Sequence, residues 1–494
     1  MAYPVGVIQR TFDESLYETA PSGTILGVVG VAHKGPINVR TEITSPSEYV
    51  ATFGLPTTQL GCAAMQFLRC SSNLIVVRVE DGSAAAATVD IVNNLTSILT
   101  VTAKTKGTWG NDLSVETVVA EDGVAGHVNI KVYYQGVLMR EHANVDGFTA
   151  AAALDDDLVD FAQASGSPAW PAAWTGEYRT YTLASGASGT SAVDTDFIGT
   201  AAVEPTTPAT GLHLFDNPED CDIDLVACPG ESDKDVVAAL LLLAGVTRQD
   251  CIALIDPPDN LTRDEVKQWV NGTYAGGPPA ALNDRFGTTS YPWHFYIDEY
   301  SPDGVWVAPS GPLAAVIANS EKESNPFMAP AGRKRGLHKF TSELRWNPSK
   351  PDQVSMYSIA GQNINPWVKL RDAGIVLRGQ KTLQRTATAL DRLSAQRTLL
   401  YAQKKLDRLA QNFEFDKSNE KTWGNLIDAC KLVLDPIRGD GGIYDYRVQC
   451  DDKLNTAAVR DRNEIMSKVF VQFEKDGEWI FIDWVVRSYS AGLE

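Results

Sequence analysis

No stretch of this sequence reaches the roughly 18 consecutive apolar residues that a membrane-spanning helix needs. The longest apolar run near the start, Ile25-Leu-Gly-Val-Val-Gly-Val-Ala32, is short and holds two glycines. It follows no basic segment, so no secretory signal is expected and the protein is expected to be made and kept in a cytoplasm. Cysteine is sparse: Cys62, Cys70, Cys221, Cys228, Cys251, Cys430 and Cys450 are odd in number and contain no CxxC pair. In such a chain they read as small buried hydrophobes rather than as disulfides, metal ligands or nucleophiles. The histidines (His33, His127, His142, His213, His294, His338) form no HExxH and stand beside no cysteine pair, which excludes the familiar zinc patterns. A GK[ST] P-loop is missing, and Gly27-Val-Val-Gly30 lacks the spacing of a dinucleotide fingerprint. No GxSxG elbow occurs; Pro309-Ser310-Gly311 resembles one superficially, and a helix cap accounts better for Ser310. Asp222 and Asp224 flank a strand and are candidate cation ligands, although solvated or capping carboxylates explain them better. No catalytic residue, cofactor site or metal site is assigned, and the chain is read as a protein without enzymatic chemistry.

What is present is an ordinary globular composition, 44% hydrophobic and 21% charged over 494 residues, enough for two to four domains with sizeable cores. The net charge of −19 is unevenly placed. Residues 331–494 carry 27 Lys and Arg against 21 Asp and Glu, and residues 1–330 carry 16 against 41. One end of the molecule is therefore basic and the other strongly acidic. This is either solvated surface charge or a basic part that docks on an acidic partner. Nucleic acid is not expected as that partner, because the basic excess is small and forms no stripe with interleaved aromatics. No membrane insertion is expected.

Along the chain, 24–31 and 73–79 read as buried strands. Ser45-Pro46 with Glu48 reads as the capped start of a short helix, and 61–69 as a second helix. Residues 81–210 turn to Ala, Thr, Ser, Gly and Asp with period-2 strands at 97–103 and 128–134, an inserted β-rich domain whose part from 150 to 210 is expected to be mostly loop. From 221, strands at 222–229, 251–257 and 293–297 alternate with helices at 232–245 and 262–271, the signature of a mostly parallel sheet. A further α+β part follows from 331, centred on a long helix from about 383 to 413 whose Leu390, Leu393, Leu406, Leu409 and Phe413 form one apolar face. The fold class is α+β multidomain, a mostly parallel α/β core domain with an inserted β-rich domain and a C-terminal α+β domain. The expected divisions are an N-terminal arm (1–20), the core (21–80 and 211–330), the insertion (81–210), the C-terminal domain (331–476) and a C-terminal arm (477–494).

Both arms read as strands. Val5, Val7 and Ile8 belong to a short one near the start. In the stretch from Trp479 to Arg487, Ile480, Ile482, Trp484 and Val486 share one face and Trp479 lies on the other. Strands this apolar need partners; they pair within their own subunit or add to sheets of neighbouring subunits.

Motifs along the chain resemble the tail sheath proteins of contractile phage tails and related injection systems. They begin with 25–36, Ile43-Thr-Ser-Pro46, Glu48-Tyr49, Phe53-Gly54 and Val76-Val-Arg-Val79, then Gly107-Thr-Trp-Gly-Asn111. Ala308-Pro-Ser-Gly311, Ala314-Ala315, Asn325-Pro326, Ala329-Pro-Ala-Gly332, Asn363-Ile-Asn365, Gly374-Ile-Val, Gly379, Lys381-Thr382 and the terminal 478–486 follow in order. The likeness covers about 60% of the chain by the order of its motifs, against general domain expectations, and hardly touches 112–210. It departs from the family where an Arg pair is usual early in the long helix: Asp391-Arg392 and a separate Arg397 stand here. Gly477 stands where a proline commonly precedes the last strand. The resemblance implies a structural subunit that stacks as six-membered rings around a tail tube, contacts baseplate and tail terminator proteins, and contracts to drive the tube through the host envelope for DNA delivery. It implies a virion-tail location after assembly in the host cytoplasm. It also implies that the C-terminal domain is tube-proximal and completed by strands exchanged between subunits. An α/β hydrolase-like enzyme using Ser310, or a non-contractile tail or capsid component, are the alternatives. With the basic end facing the tube, raising salt well past the ionic strength where the Debye length is about 10 Å should weaken assembly on the tube; assembly indifferent to salt would contradict that arrangement.

Overall fold

The computed structural model describes residues 23–478 apart from 94, 155, 167–168, 175–178, 204 and 359–361. Both expected arm strands, with Val5, Val7, Ile8, Trp479, Ile480, Ile482, Trp484 and Val486, lie outside the described residues.

A nine-stranded sheet organises the molecule. In chain order its strands are β1 (Leu26–Gly30), β2 (Arg40–Ile43), β3 (Leu74–Arg78), β4 (Leu225–Ala227), β5 (Ile252–Ile255), β6 (Gly287–Tyr291), β7 (Leu337–His338), β8 (Asn365–Leu370) and β9 (Gly374–Leu377). Their spatial order is β7-β9-β8-β6-β5-β4-β1-β3-β2. The six strands from β8 to β3 run parallel, and β2, β9 and β7 pair antiparallel at the two margins. β1, β3, β4 and β5 are buried throughout, as a parallel sheet covered on both faces requires. The sheet runs across residue 330, because β7, β8 and β9 extend the sheet that begins at residue 26.

The crossovers start where local chemistry dictates. Helix α1 (Pro46–Phe53) has Pro at its first position and Ser45 Oγ accepting from the Glu48 N–H. Helix α2 (Gln59–Leu68) is capped by Thr58. Helix α3 (Lys234–Leu242) is capped by Asp233, and α4 (Arg263–Val270) begins with a Thr262–Glu265 capping box.

One expectation for this region needs correction. The parallel strand placed at 293–297 is β6, at 287–291; His294–Tyr296 instead pairs antiparallel with Val305–Val307 and Thr341–Leu344 in a small separate sheet. A hydrophobicity reading misses β6 because its middle is polar. Thr288 Oγ1 donates to the Lys381 carbonyl and Thr289 Oγ1 to the Ile255 carbonyl, and Ser290 Oγ accepts from Trp367 Nε1, so the hydroxyls are satisfied while buried. Within the mostly looped stretch from 150 to 210, Val159–Gln163 and Thr180–Thr182 are strands, and the short helix Asp194–Ile198 carries Phe197 into the central core.

Between β3 and β4 the chain builds a second core from two small antiparallel sheets, with Leu99, Val101, Leu113, Val115, Ile130 and Val132 at its centre. Its attachment to the central sheet rests on Arg78 at the end of β3. Arg78 is fully buried, and its guanidinium donates to the carbonyls of Gly35 and Lys106 at 2.8 Å and of Ser188 at 2.9 Å. Those three acceptors belong to the loop after β1, to the link between the two small sheets of the second core, and to the segment leaving it. Gly107 beside them has φ +151°, and a Cβ there would lie 2.1 Å from the His33 carbonyl oxygen, so only glycine lets the chain cross.

The C-terminal part packs helix α5 (Ser310–Glu323) on the central core. It then adds the long helix α6 (Leu393–Gln411), α7 (Glu420–Gly439) and a two-stranded antiparallel sheet of Ile443–Gln449 with Lys468–Phe473. The long helix begins at 393 rather than near 383 because the intervening backbone is already committed. Lys381 N donates to Asn365 Oδ1, Leu383 N to the Gly287 carbonyl and Thr382 N to the Asp391 carbonyl.

At about 1 kcal/mol net per bond, Arg78→Met should cost about 3 kcal/mol of stability. In limited proteolysis the first new cuts should fall near Lys106 and Ser188, while a uniform loss of protection along the chain would contradict the local role given to Arg78.

Candidate functional site

The two chain ends enter the described fold beside one helix, and the polar groups that hold them form the most developed side-chain constellation in the molecule. The C-terminal end arrives first at the start of α6. There the Leu393 N–H, which helix geometry leaves without an intrahelical acceptor, donates to the Gln380 carbonyl at 2.6 Å. Arg392, one residue before the helix, grips Glu478 through Nε at 2.5 Å and Nη2 at 3.0 Å, a bidentate guanidinium–carboxylate pair. Tyr357 donates its phenol O–H to the same carboxylate at 2.9 Å. Asp476 accepts from Ser394 Oγ at 2.7 Å and from Gln380 Nε2 at 2.9 Å, a carboxylate set where the helix macrodipole favours negative charge. These residues hold the chain immediately before Trp479.

The N-terminal end arrives one turn further along. Arg397 Nη2 donates to Thr24 Oγ1 at 3.1 Å and to Glu321 Oε2 at 2.7 Å, and Thr24 Oγ1 donates to Glu321 as well. Two turns beyond, Lys404 Nζ reaches Asp222 Oδ1 at 2.7 Å, the Ile223 carbonyl at 2.7 Å and Asp224 Oδ1 at 2.9 Å, with Asp250 at 3.9 Å. Asp224 Oδ2 in turn accepts the Ile25 N–H at 2.9 Å, and Arg408 donates to Asp222 at 2.8 Å. Arg397, Lys404 and Arg408 recur at spacings of seven and four, so they share one face of α6. That face lies along the ends where β1, β4 and β5 begin. Asp222 and Asp224 do hold a cation, the ammonium of Lys404. Burial alone would favour the neutral amine, but the carboxylates of Asp224, Asp222 and Asp250 outweigh it and hold Lys404 above its ordinary pKa. Burial likewise acts to raise Asp222, and Lys404 and Arg408 overcome it to hold that carboxyl below its usual range.

At the opposite ends of the central strands the chemistry is different. Ser310 is the first residue of α5 and Pro309 is its cap, so the expected Ser310 cap is corrected. The buried Asp256 carboxylate explains this, since it takes the Ser310 N–H at 2.8 Å and the Ser310 O–H at 2.6 Å, together with the Gly230 N–H at 3.1 Å. The hydroxyl is thus committed to a carboxylate inside the fold, and no imidazole bonds it among the described residues. Burial pushes Asp256 up to about 6 against the opposing hydrogen bonds from Ser310 and Gly230. Two histidines far apart in sequence do meet: His294 and His338 are buried with ring centroids 5.8 Å apart, and His294 packs edge-on to Trp367 at 4.6 Å. Burial holds both imidazoles below their ordinary pKa.

No protein-family model matches the chain. In sequence it is 27% identical to the tail sheath protein of Vibrio phage KVP40 over 300 residues, 57% of this chain and 44% of the phage protein. The tail sheath protein of Enterobacteria phage T4 matches at 27% over 296 residues with the same two coverages. The chain therefore spans about half the length of these relatives, or somewhat less. In structure it superposes on the sheath tail protein of Desulfitobacterium hafniense with a TM-score of 0.61 at 13% identity, covering 90% of this chain and 94% of that one. The fold is that of a tail sheath protein. A sheath complex of an extracellular contractile injection system in its contracted state agrees over 98% of both chains, with a TM-score of 0.56 at 15% identity.

Within this tail sheath fold the sequence-level site residues all fall beyond the described ends, while the groups that root those ends were not foreseen. The signal for them was faint. Glu478 follows Asp476 just ahead of an apolar strand, and Arg392, Arg397 and Lys404 interrupt the apolar face of a long helix.

Two predictions follow from the geometry. Arg392→Ala leaves the Glu478 carboxylate without its bidentate partner, at a cost of about 2–3 kcal/mol, and hydrogen exchange should accelerate at 474–478 well before the central strands respond. The second concerns Asp256, whose folded pKa of about 6 exceeds its ordinary value, so the folded state binds the extra proton and gains stability as pH falls from about 6 towards 4. Asp256→Asn should remove that contribution. Urea midpoints of both proteins at pH 4.5 and pH 7 should differ more for the parent chain, and parallel pH profiles would contradict the assignment.

Proposed function

We propose that this chain is the structural subunit of a contractile tail sheath, which polymerises around a tail tube and contracts to drive it through a host cell envelope for DNA delivery. The observation that carries the reading is an unfinished sheet in a chain with the tail sheath fold. The Ile443–Gln449 and Lys468–Phe473 pair is the only two-stranded sheet among the described residues, and neither strand has a second partner there. Its inner face carries Tyr446, Val448, Val469 and Val471 against the core beneath α6 and α7. Its remaining surface leaves Tyr444 at 66% and Phe470 at 50% exposure. An isolated two-stranded sheet is marginal in water, and open edges are templates for another strand.

The terminal stretches supply such strands. In this reading Val5, Val7 and Ile8 of one subunit, and Trp479, Ile480, Ile482, Trp484 and Val486 of another, add to the two free edges. The divisions follow those expected from the sequence except at residue 330, where β7, β8 and β9 carry the core sheet on to residue 377: arms at 1–20 and 477–494, a core of 21–80 with 211–377, an outer insertion at 81–210, and a tube-proximal part from there to 476. Each added strand contributes about 1 kcal/mol net per hydrogen bond and roughly 25 cal/mol for every Å² of apolar surface buried. Links of that size persist while the body of the subunit swings outward.

Contraction draws on the free-energy difference between two lattices of the same links, with no nucleotide consumed and no catalytic residue required. The partners are further copies of the chain in stacked six-membered rings, the tube protein, baseplate proteins and a tail terminator. The site of action is the virion tail, after assembly in the host cytoplasm. The relatives named above carry sheath names, and one is recorded in a contracted state.

The test is negative-stain electron microscopy of the purified chain beside a variant ending at residue 477. Long hollow tubes from the full chain and single particles from the variant are expected. Monodisperse particles from a folded full-length chain at high concentration would overturn the reading.

A further inference from the structure

We infer that the acidic segment preceding Gly23, with Asp13, Glu14 and Glu18, docks onto its own subunit in a basic groove beside α6. The groove measures about 820 Å³ and is walled by the ends of α2 and α5 and by the outer side of α6. Its cations are Arg69, Lys322 and Lys405. None of the three has a carboxylate partner among the described residues. Arg69 lies over the rings of Phe340 and Tyr296, and Lys405 over that of Tyr401, with centroid distances of 5.2, 5.6 and 4.4 Å. The one acid on the groove wall, Glu321, is already taken by Arg397 and Thr24. The groove is thus a concentration of positive charge on a chain whose net charge is −19.

Connectivity names the occupant. Gly23 and Thr24 line the groove themselves, and their path is fixed there. The Gly23 carbonyl accepts from Asn73 Nδ2 and the Thr24 carbonyl from Ser71 Oγ. Residue 22 is one peptide away, and at about 3.5 Å per extended residue Glu18 comes no further than roughly 17 Å from Gly23. The segment 10–22 carries three carboxylates against the single basic Arg10, the opposite sign to the groove. Tethering makes the encounter intramolecular, so modest charge pairing is enough to hold it. Docking gives the arm ahead of it one direction of departure, and a strand so oriented loses less freedom when it pairs elsewhere.

The experiment is hydrogen exchange on the full chain, kept dilute and unassembled, and its outcome does not depend on whether the chain forms tubes. Amides in 13–22 are expected to exchange at least about 10-fold more slowly than in an unstructured peptide of the same sequence. That protection should be lost in the Lys322→Glu/Lys405→Glu variant. It should also be lost when Asp13, Glu14 and Glu18 are changed to Lys, and it should return when the two sets are combined. The combined variant keeps the result interpretable if either set alone disturbs folding, which thermal melting would reveal. Free exchange of 13–22 in the unassembled parent chain would overturn the proposal. So would protection that appears only in tubes, where a neighbour is the occupant, or protection indifferent to both reversals.

Discussion

Both ends of the described chain, at Thr24 and Glu478, are fastened to one rigid rod. The helix Leu393–Gln411 is 19 residues long, about 28 Å at 1.5 Å per residue. Arg392 and Ser394 at its start hold Glu478 and Asp476. Arg397 and Lys404 further along hold Thr24, Glu321 and the carboxylates beside Ile25. A pull on either terminus therefore reaches the same element, and that element lies across the ends of β1, β4 and β5. The segments that lead to the two termini thus share a common foundation.

The chemistry of the fastening suits a fixed geometry. Exposed ion pairs contribute little, but these are half-buried, several are bidentate or shared, and each leaves a charge without a partner if broken. Such groups specify a geometry more than they add stability. The apolar half of the proposed assembly lies elsewhere, in the open-edged sheet of Ile443–Gln449 and Lys468–Phe473, where an added strand would contribute hydrogen bonds and side-chain burial.

How much of this is legible in the sequence depends on which force forms each part. The parallel core is legible because β1, β3, β4 and β5 are continuous apolar runs, and α1 and α4 because Ser45-Pro46 and Thr262 mark their starts. Strand β6 is not, since Gly287-Thr-Thr-Ser-Tyr291 is polar and is paid for by hydrogen bonds to Lys381, Ile255 and Trp367 that only the fold brings near. The start of α6 is misread for a similar reason: the helix expected from about Leu383 cannot begin there, because Leu383 N donates to the Gly287 carbonyl and Thr382 N just before it to the Asp391 carbonyl. Asp222 and Asp224 read better from the sequence as solvated or capping carboxylates, because their cation, Lys404, stands 180 residues away from Asp224. The expected arm strands lie outside the described residues, and the groups that hold the chain beside them, Tyr357, Gln380, Arg392 and Arg397, are scattered singly and carry no pattern of their own.

The most direct test is a helical reconstruction by cryo-electron microscopy of tubes assembled from this chain, at a resolution that traces side chains. The account predicts four strands where the described subunit has two, the added pair coming from two other subunits, with Arg392 still on Glu478 and Arg397 still on Thr24. A two-stranded sheet with both terminal segments folded back on their own subunit would contradict it.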